Sequence, residues 1–156
     1  MKSLTLFRHA KTERGSTTGR DFDRQLAERG RVDAPRMGDE IRKLGLGYDL
    51  VLCSPAARAA ETAQLAGLGS RFDQRIYDAT TGDLLALVQG ADDAVGRLMM
   101  VGHNPGFEQL ASRLLGYFME MPTGSLVEIE LPVDSWRDTG SSGGRLARLI
   151  KPKDLR

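Results

Sequence analysis

Two histidines make up the whole imidazole complement of this chain, and each stands directly after a short apolar run. The first closes Leu4-Thr5-Leu6-Phe7-Arg8-His9-Ala10, where an arginine precedes it. The second closes Leu98-Met99-Met100-Val101-Gly102-His103, and Asn104-Pro105 follow it. A second arginine, Arg58, lies a few residues past another apolar run, Leu50-Val51-Leu52-Cys53, that ends in Ser54-Pro55. Imidazole is a competent nucleophile and forms covalent intermediates. Guanidinium forks bind phosphate oxygens two at a time, and helix N-termini add N–H donors and a positive dipole end. Together, Arg8, His9, Arg58 and His103 could grip a doubly charged phosphoryl group by side chains alone.

Such a pocket requires the three runs to end in one place. Short apolar runs bounded by Gly and Pro read as buried strands of an α/β sheet, whose ligand crevices lie at the carboxyl ends of the strands. The pattern predicts strands at Leu4–Phe7, Leu50–Cys53, Leu98–Val101, Ser125–Leu131 and Arg145–Ile150, with a shorter one over Arg71–Tyr77. Helices are expected from Ala56 to Ala66, Gly82 to Gln89 and Gly106 to Leu115. An earlier helix carries Val32, Met37, Ile41 and Leu44, stops at Gly45 and Gly47, and has Pro35 in its first turn. Alternating strands and helices imply a three-layer αβα domain spanning 1–156, with a mostly parallel sheet. The last two strands, joined by the Gly- and Ser-rich segment Asp138–Gly144, would add an antiparallel edge. The polar loop from Ala10 to Gln25 is long for a simple connection and is therefore a candidate functional loop.

Composition narrows the class. Net charge is +1, from 22 basic and 21 acidic residues, so no global field favours nucleic acid or a membrane surface. An anion site must be local. A single cysteine, Cys53, excludes an internal disulfide and fits a reducing, cytoplasmic setting. No apolar stretch approaches the roughly 20 residues needed to span a bilayer.

Several blocks recur in the order of a known family. Arg8-His9-Ala10, the segment from Asp21-Phe22-Asp23-Arg24-Gln25-Leu26 to Arg29-Gly30, Ser54-Pro55 with Arg58, Glu61 and Thr62, Gly102-His103-Asn104-Pro105, and Pro122-Thr123-Gly124 resemble the histidine phosphatase (phosphoglycerate-mutase-like) superfamily. Within it they are most similar to the short SixA-like phosphohistidine phosphatases. The resemblance implies that His9 becomes phosphorylated, that Arg8, Arg58 and His103 complete the phosphate pocket, and that neither metal nor cofactor takes part. It also implies a phosphorylated partner, either a protein such as a histidine phosphotransfer domain or a small phosphoester. Mutase-type relatives carry an acidic proton donor after the third strand, where only Asp78 offers a carboxylate here. A missing acid favours P–N over P–O substrates, because imidazole, with a solution pKa of about 6.5, leaves with little help.

Other readings compete at single residues. A phosphate-binding regulatory module without turnover is the alternative from a different class. Cys53 and Arg58 are separated by four residues, one too few for a cysteine-phosphatase loop, so Cys53 reads as an inert strand residue. Lys11, Arg14 and Arg20 make the first loop basic, Asp21 and Asp23 suit tethering that loop or orienting an arginine, and Met99, Met100, Met119 and Met121 suit packing.

Overall fold

A computed structural model describes residues 1–141 and 143–156, leaving Ser142 of the predicted Asp138–Gly144 segment outside the described residues. Strands β1 (Lys2–Arg8), β2 (Leu50–Cys53), β3 (Arg71–Phe72), β4 (Arg97–Gly102), β5 (Leu126–Leu131) and β6 (Arg145–Ile150) form one sheet in the order β3-β2-β4-β1-β5-β6. The pairs β3·β2, β2·β4 and β4·β1 are parallel, whereas β1·β5 and β5·β6 are antiparallel. Helices α1 (Glu28–Lys43), α2 (Ala57–Leu65), α3 (Thr81–Gln89) and α4 (Gly106–Leu115) cover both faces.

The strand period of two assigns those faces. Leu4, Leu6, Leu52, Leu98 and Met100 pack with Leu84, Leu85 and Val88 of α3 and with Phe107, Leu110 and Leu114 of α4. The intervening Phe7, Val51, Cys53, Met99 and Val101 pack with Met37 and Ile41 of α1 and Ala59 and Ala63 of α2. Both stacks are mainly apolar, as a sheet buried on two faces requires, with Thr5 of β1 and Glu128 of β5 as buried polar exceptions. The fold is therefore the expected three-layer α/β architecture with an antiparallel C-terminal edge. None of the helices is long and apolar enough to cross a membrane, among the described residues.

Three local expectations need correction. Helix α1 starts at Glu28, so Pro35 lies in its interior rather than its first turn. The early start is fixed by packing: a Cβ on Gly30 would lie 2.2 Å from the Lys11 carbonyl oxygen, so the helix is already laid against the first loop there. Pro35 cannot donate to the Arg31 carbonyl, a local cost that the buried stripe of Ala34, Met37 and Ile41 offsets. Val32 and Leu44 fall outside that stripe and are exposed. The predicted strand over Arg71–Tyr77 keeps only Arg71 and Phe72, paired with Leu52 and Cys53. The Asp73 side chain then accepts from the Arg75 N–H and turns the chain into a 3-10 turn, Gln74–Ile76.

Parallel pairing decides where the chemistry collects. Arg8 is level with Gly102, and Cys53 with Val101, so His9, His103 and Ser54 leave one edge of the sheet side by side.

Candidate active site

His9 is pinned through its backbone before its ring is considered. Its N–H donates to the Gly102 carbonyl at 3.0 Å, and its own carbonyl accepts from Gly124 N–H at 2.8 Å. The ring Nδ1 lies 2.8 Å from the Ala10 carbonyl oxygen, a pure acceptor, so Nδ1 carries the proton and Nε2 keeps a free lone pair. Burial lowers the His9 pKa from 6.5 to about 4, opposed by the Ala10 bond and reinforced by the charges of Arg8, Arg58 and Arg24. At neutral pH His9 is an uncharged, buried imidazole whose Nε2 has no hydrogen-bond partner among the described residues.

His103 comes from the end of β4, with its ring centroid 5.4 Å from that of His9. Its Nε2 sits 2.8 Å from Ser54 Oγ, and Nδ1 is buried with no hydrogen-bond partner among the described residues. Burial, followed by Arg58 and His9, lowers its pKa to about 3. Gly102 admits both rings' supports: a Cβ there would lie 2.6 Å from Ile76 Cγ2 and 2.7 Å from Phe107 Cζ.

The guanidiniums are held from opposite sides. Arg58, on the first turn of α2, is only 7% exposed. It donates from Nη1 to the Asp21 carbonyl at 2.8 Å and from Nη2 to Asp21 Oδ2 at 3.0 Å. Thr62 ties the same helix to β1: its hydroxyl donates to the Arg58 carbonyl and accepts from Ala10 N–H at 3.0 Å. Arg8 donates from Nη1 to the Met121 carbonyl at 2.9 Å. Burial pulls the Arg8 pKa down, and the neighbouring Glu108 charge opposes that. Glu108 Oε2 also accepts from Asn104 Nδ2 and from Met121 N–H, which fixes the turn that supplies the Met121 carbonyl.

The structure therefore brings Arg8, His9, Arg58 and His103 into one crevice, and it adds residues that sequence reasoning passed over. Glu108 lies four residues after Asn104, a helical spacing that allows them to pair. Ser54, which ends the second strand and belongs to the second family block, gains a contact of its own with the His103 ring. Tyr77 donates its hydroxyl to Asp21 Oδ2 at 2.8 Å, and its ring meets that of His103 edge-on at 5.7 Å. Asp78, the carboxylate singled out from sequence, has a positive φ of 54° and an exposed side chain. It lines a concavity with Arg75, Tyr77, Ala79, Asp83 and Leu87. Asp21 is ionised, because hydrogen bonds from Tyr77, Arg24 and Arg58 outweigh its partial burial and hold its pKa at about 2. Cys53 is fully buried, and desolvation pushes its thiol to about 12. Lys11, Arg14 and Arg20 are exposed, and Arg20 lies over the Phe22 ring. No cluster of three or more His, Cys, Asp or Glu side chains suited to a metal ion occurs among the described residues.

Comparison with known proteins agrees with this geometry. The sequence profile of the histidine phosphatase superfamily (branch 1) matches residues 4–83, just over half of the chain. An uncharacterised chloroplast protein of Arabidopsis thaliana is 28% identical over 170 residues, covering 97% of this chain and 78% of its own length. The solved structure of SixA from Agrobacterium tumefaciens superposes with a TM-score of 0.81 at 26% identity, covering 97% of this chain and 99% of that one. A protein histidine phosphatase SixA solved with tungstate shares the fold with a TM-score of 0.83 at 18% identity, covering 99% of both chains. By its profile match, and by a fold that carries two arginines and two histidines to one sheet edge, the chain belongs to the histidine phosphatase superfamily, branch 1, as a hydrolase of SixA-like architecture.

Proposed function

We propose that residues 1–156 form one cytoplasmic phosphatase domain that needs no metal, works through phospho-His9 and acts on protein phosphohistidine in a phosphorelay. The observation that carries the reading is the His9 ring itself. Its Nδ1 proton is committed to the Ala10 carbonyl, its pKa is about 4, and Nε2 is left free beside two guanidiniums. In the first step Nε2 attacks phosphorus and a P–Nε2 bond forms while the P–N bond of the substrate breaks. The electron pair of that bond stays with a ring that is protonated on its other nitrogen and so departs as neutral imidazole. Arg8 and Arg58 neutralise the equatorial oxygens, and His103 donates to the transferring group. Water then attacks phosphorus, inorganic phosphate departs, and neutral His9 is restored. Because its pKa is low, His9 is a good leaving group in that second step.

Leaving-group chemistry supports the substrate class. Asp21 is ionised, and the exposed Asp78 makes no hydrogen bond to His9, His103 or Arg58 among the described residues, so no carboxylic acid is held ready against a poor leaving group. An alkoxide needs such an acid, whereas imidazole does not. The SixA protein that binds tungstate, a tetrahedral oxyanion, shares this fold and is described as a protein histidine phosphatase. The test is a turnover profile across a phosphohistidine protein, an activated aryl phosphate and phosphoserine, with and without chelator. Rapid hydrolysis of the first two, slow hydrolysis of phosphoserine and indifference to chelator are expected. Preference for phosphoserine, or loss of activity that zinc or magnesium restores, would contradict the reading. No turnover of any of the three would favour a phosphate-binding module.

A further inference from the structure

We infer that Tyr77 is a positioning residue of this site, acting on Arg58 through Asp21 and on His103 through its ring. The inference rests on the reading of the crevice as a phosphate pocket and adds a residue to it. Asp21 holds Arg58 by two bonds, one from each terminal nitrogen, and both depend on where a loop residue sits. Asp21 itself is on the long first loop, in a three-residue 3-10 turn with no buried residue to anchor it. Tyr77 supplies an anchor from across the crevice. Its hydroxyl reaches the same Oδ2 that receives Arg58 Nη2. Its ring meets Phe22, the next residue of that turn, edge-on at 5.1 Å and 87°.

The same ring also meets His103, at 5.7 Å and 81°. A T-shaped contact limits how far an imidazole can swing. Tyr77 can brace two groups because its own backbone is fixed. Its N–H donates to the Gln74 carbonyl, Asp73 caps the turn, and the preceding Ile76 is buried against Gly102. Burial and the Asp21 carboxylate raise the phenol pKa above its ordinary value, so the hydroxyl remains a donor throughout the physiological range.

Tyr77→Phe removes the hydroxyl and keeps the ring, and Tyr77→Leu removes both. Turnover of an activated aryl phosphate and affinity for orthovanadate would be measured for each, alone and combined with Asp21→Ala. Tyr77→Phe is expected to lower kcat/KM and vanadate affinity about 5- to 10-fold, the scale of one modest hydrogen bond, and Tyr77→Leu to lower both further. In the Asp21→Ala background Tyr77→Phe should change little, because its route to Arg58 has gone. Wild-type values for Tyr77→Phe, or equal losses with and without Asp21, would overturn the inference. Vanadate binding needs no turnover, so an inactive wild type that binds vanadate would refute the proposed activity while the Tyr77 comparison still gives its answer.

Discussion

The crevice has two halves of different build. One is borne by strands: Arg8, His9 and His103 stand at the ends of β1 and β4, with His9 buried and backbone-bonded on both sides and Arg8 and His103 half-buried. The other is borne by a loop and a short turn: Asp21, Phe22 and Tyr77 are exposed or half-buried and hold one another by side-chain contacts. Arg58 lies between them, on a helix but steered by the loop. Burial shifts the strand-borne imidazoles by pKa, whereas the loop-borne half sets direction. Chemical state is thus written into the sheet, and geometry is trimmed from the rim.

The sharpest way to break this division is Arg58→Lys, which keeps the charge and discards the planar fork. If direction matters, kcat/KM should fall on the order of 10²-fold and vanadate affinity should fall with it. A lysine enzyme close to wild type would make Arg58 a mere source of charge. Gly102→Ala tests the strand-borne half, because the new Cβ meets Ile76 and Phe107 below 3 Å. Overpacking of this kind costs about 1–3 kcal/mol, so denaturant unfolding should show a clear loss. An unchanged midpoint would mean that the strand end yields easily.

A gentler probe titrates the two imidazoles by NMR, with no other histidine to confuse the assignment. Both should remain neutral down to about pH 5, since their pKa values are about 4 and about 3. The same shifts fix a sign for stability. Above 6.5 neither folded nor unfolded chain binds the protons, and there is no effect. As pH falls from 6.5 toward 4 the unfolded chain takes them up first, so stability declines, levelling only when the folded rings protonate. A histidine titrating near 6.5 in the folded protein would remove burial as the controlling cause. The smallest effect is expected at Asp78→Asn. It should leave hydrolysis of an activated aryl phosphate nearly unchanged, far short of the loss of about 10²-fold that follows removal of a general acid. Arg14→Lys, out on the exposed loop, should be equally mild.

The two halves also differed in how far they could be read from sequence. β2, α4 and β6 run over the expected residues because their apolar periods and their Gly and Pro boundaries agree with the packing. The strand-end residues followed, since parallel strands ending together must present what comes next. The rim was legible only in part: an arginine-orienting role for Asp21 or Asp23 could be read, but not which arginine it would hold. Asp21 reaches Arg58 across 37 positions of sequence, and no local pattern encodes that contact. Between Tyr77 and Asp78, the choice of which faces the crevice depends on Ile76 burying itself against Gly102, a tertiary contact. Pro35 is a further case, because helix propensity yields there to the close approach of Gly30 to Lys11.

The central claim is that His9 is the nucleophile, and trapping the phosphoenzyme tests it most directly. Wild type quenched during turnover of a radiolabelled phosphohistidine substrate should carry one acid-labile, base-stable phosphate. Peptide mapping should place it on His9, and His9→Ala should fold normally yet retain neither label nor turnover. Label on Ser54 or Cys53, or undiminished turnover by His9→Ala, would contradict the account.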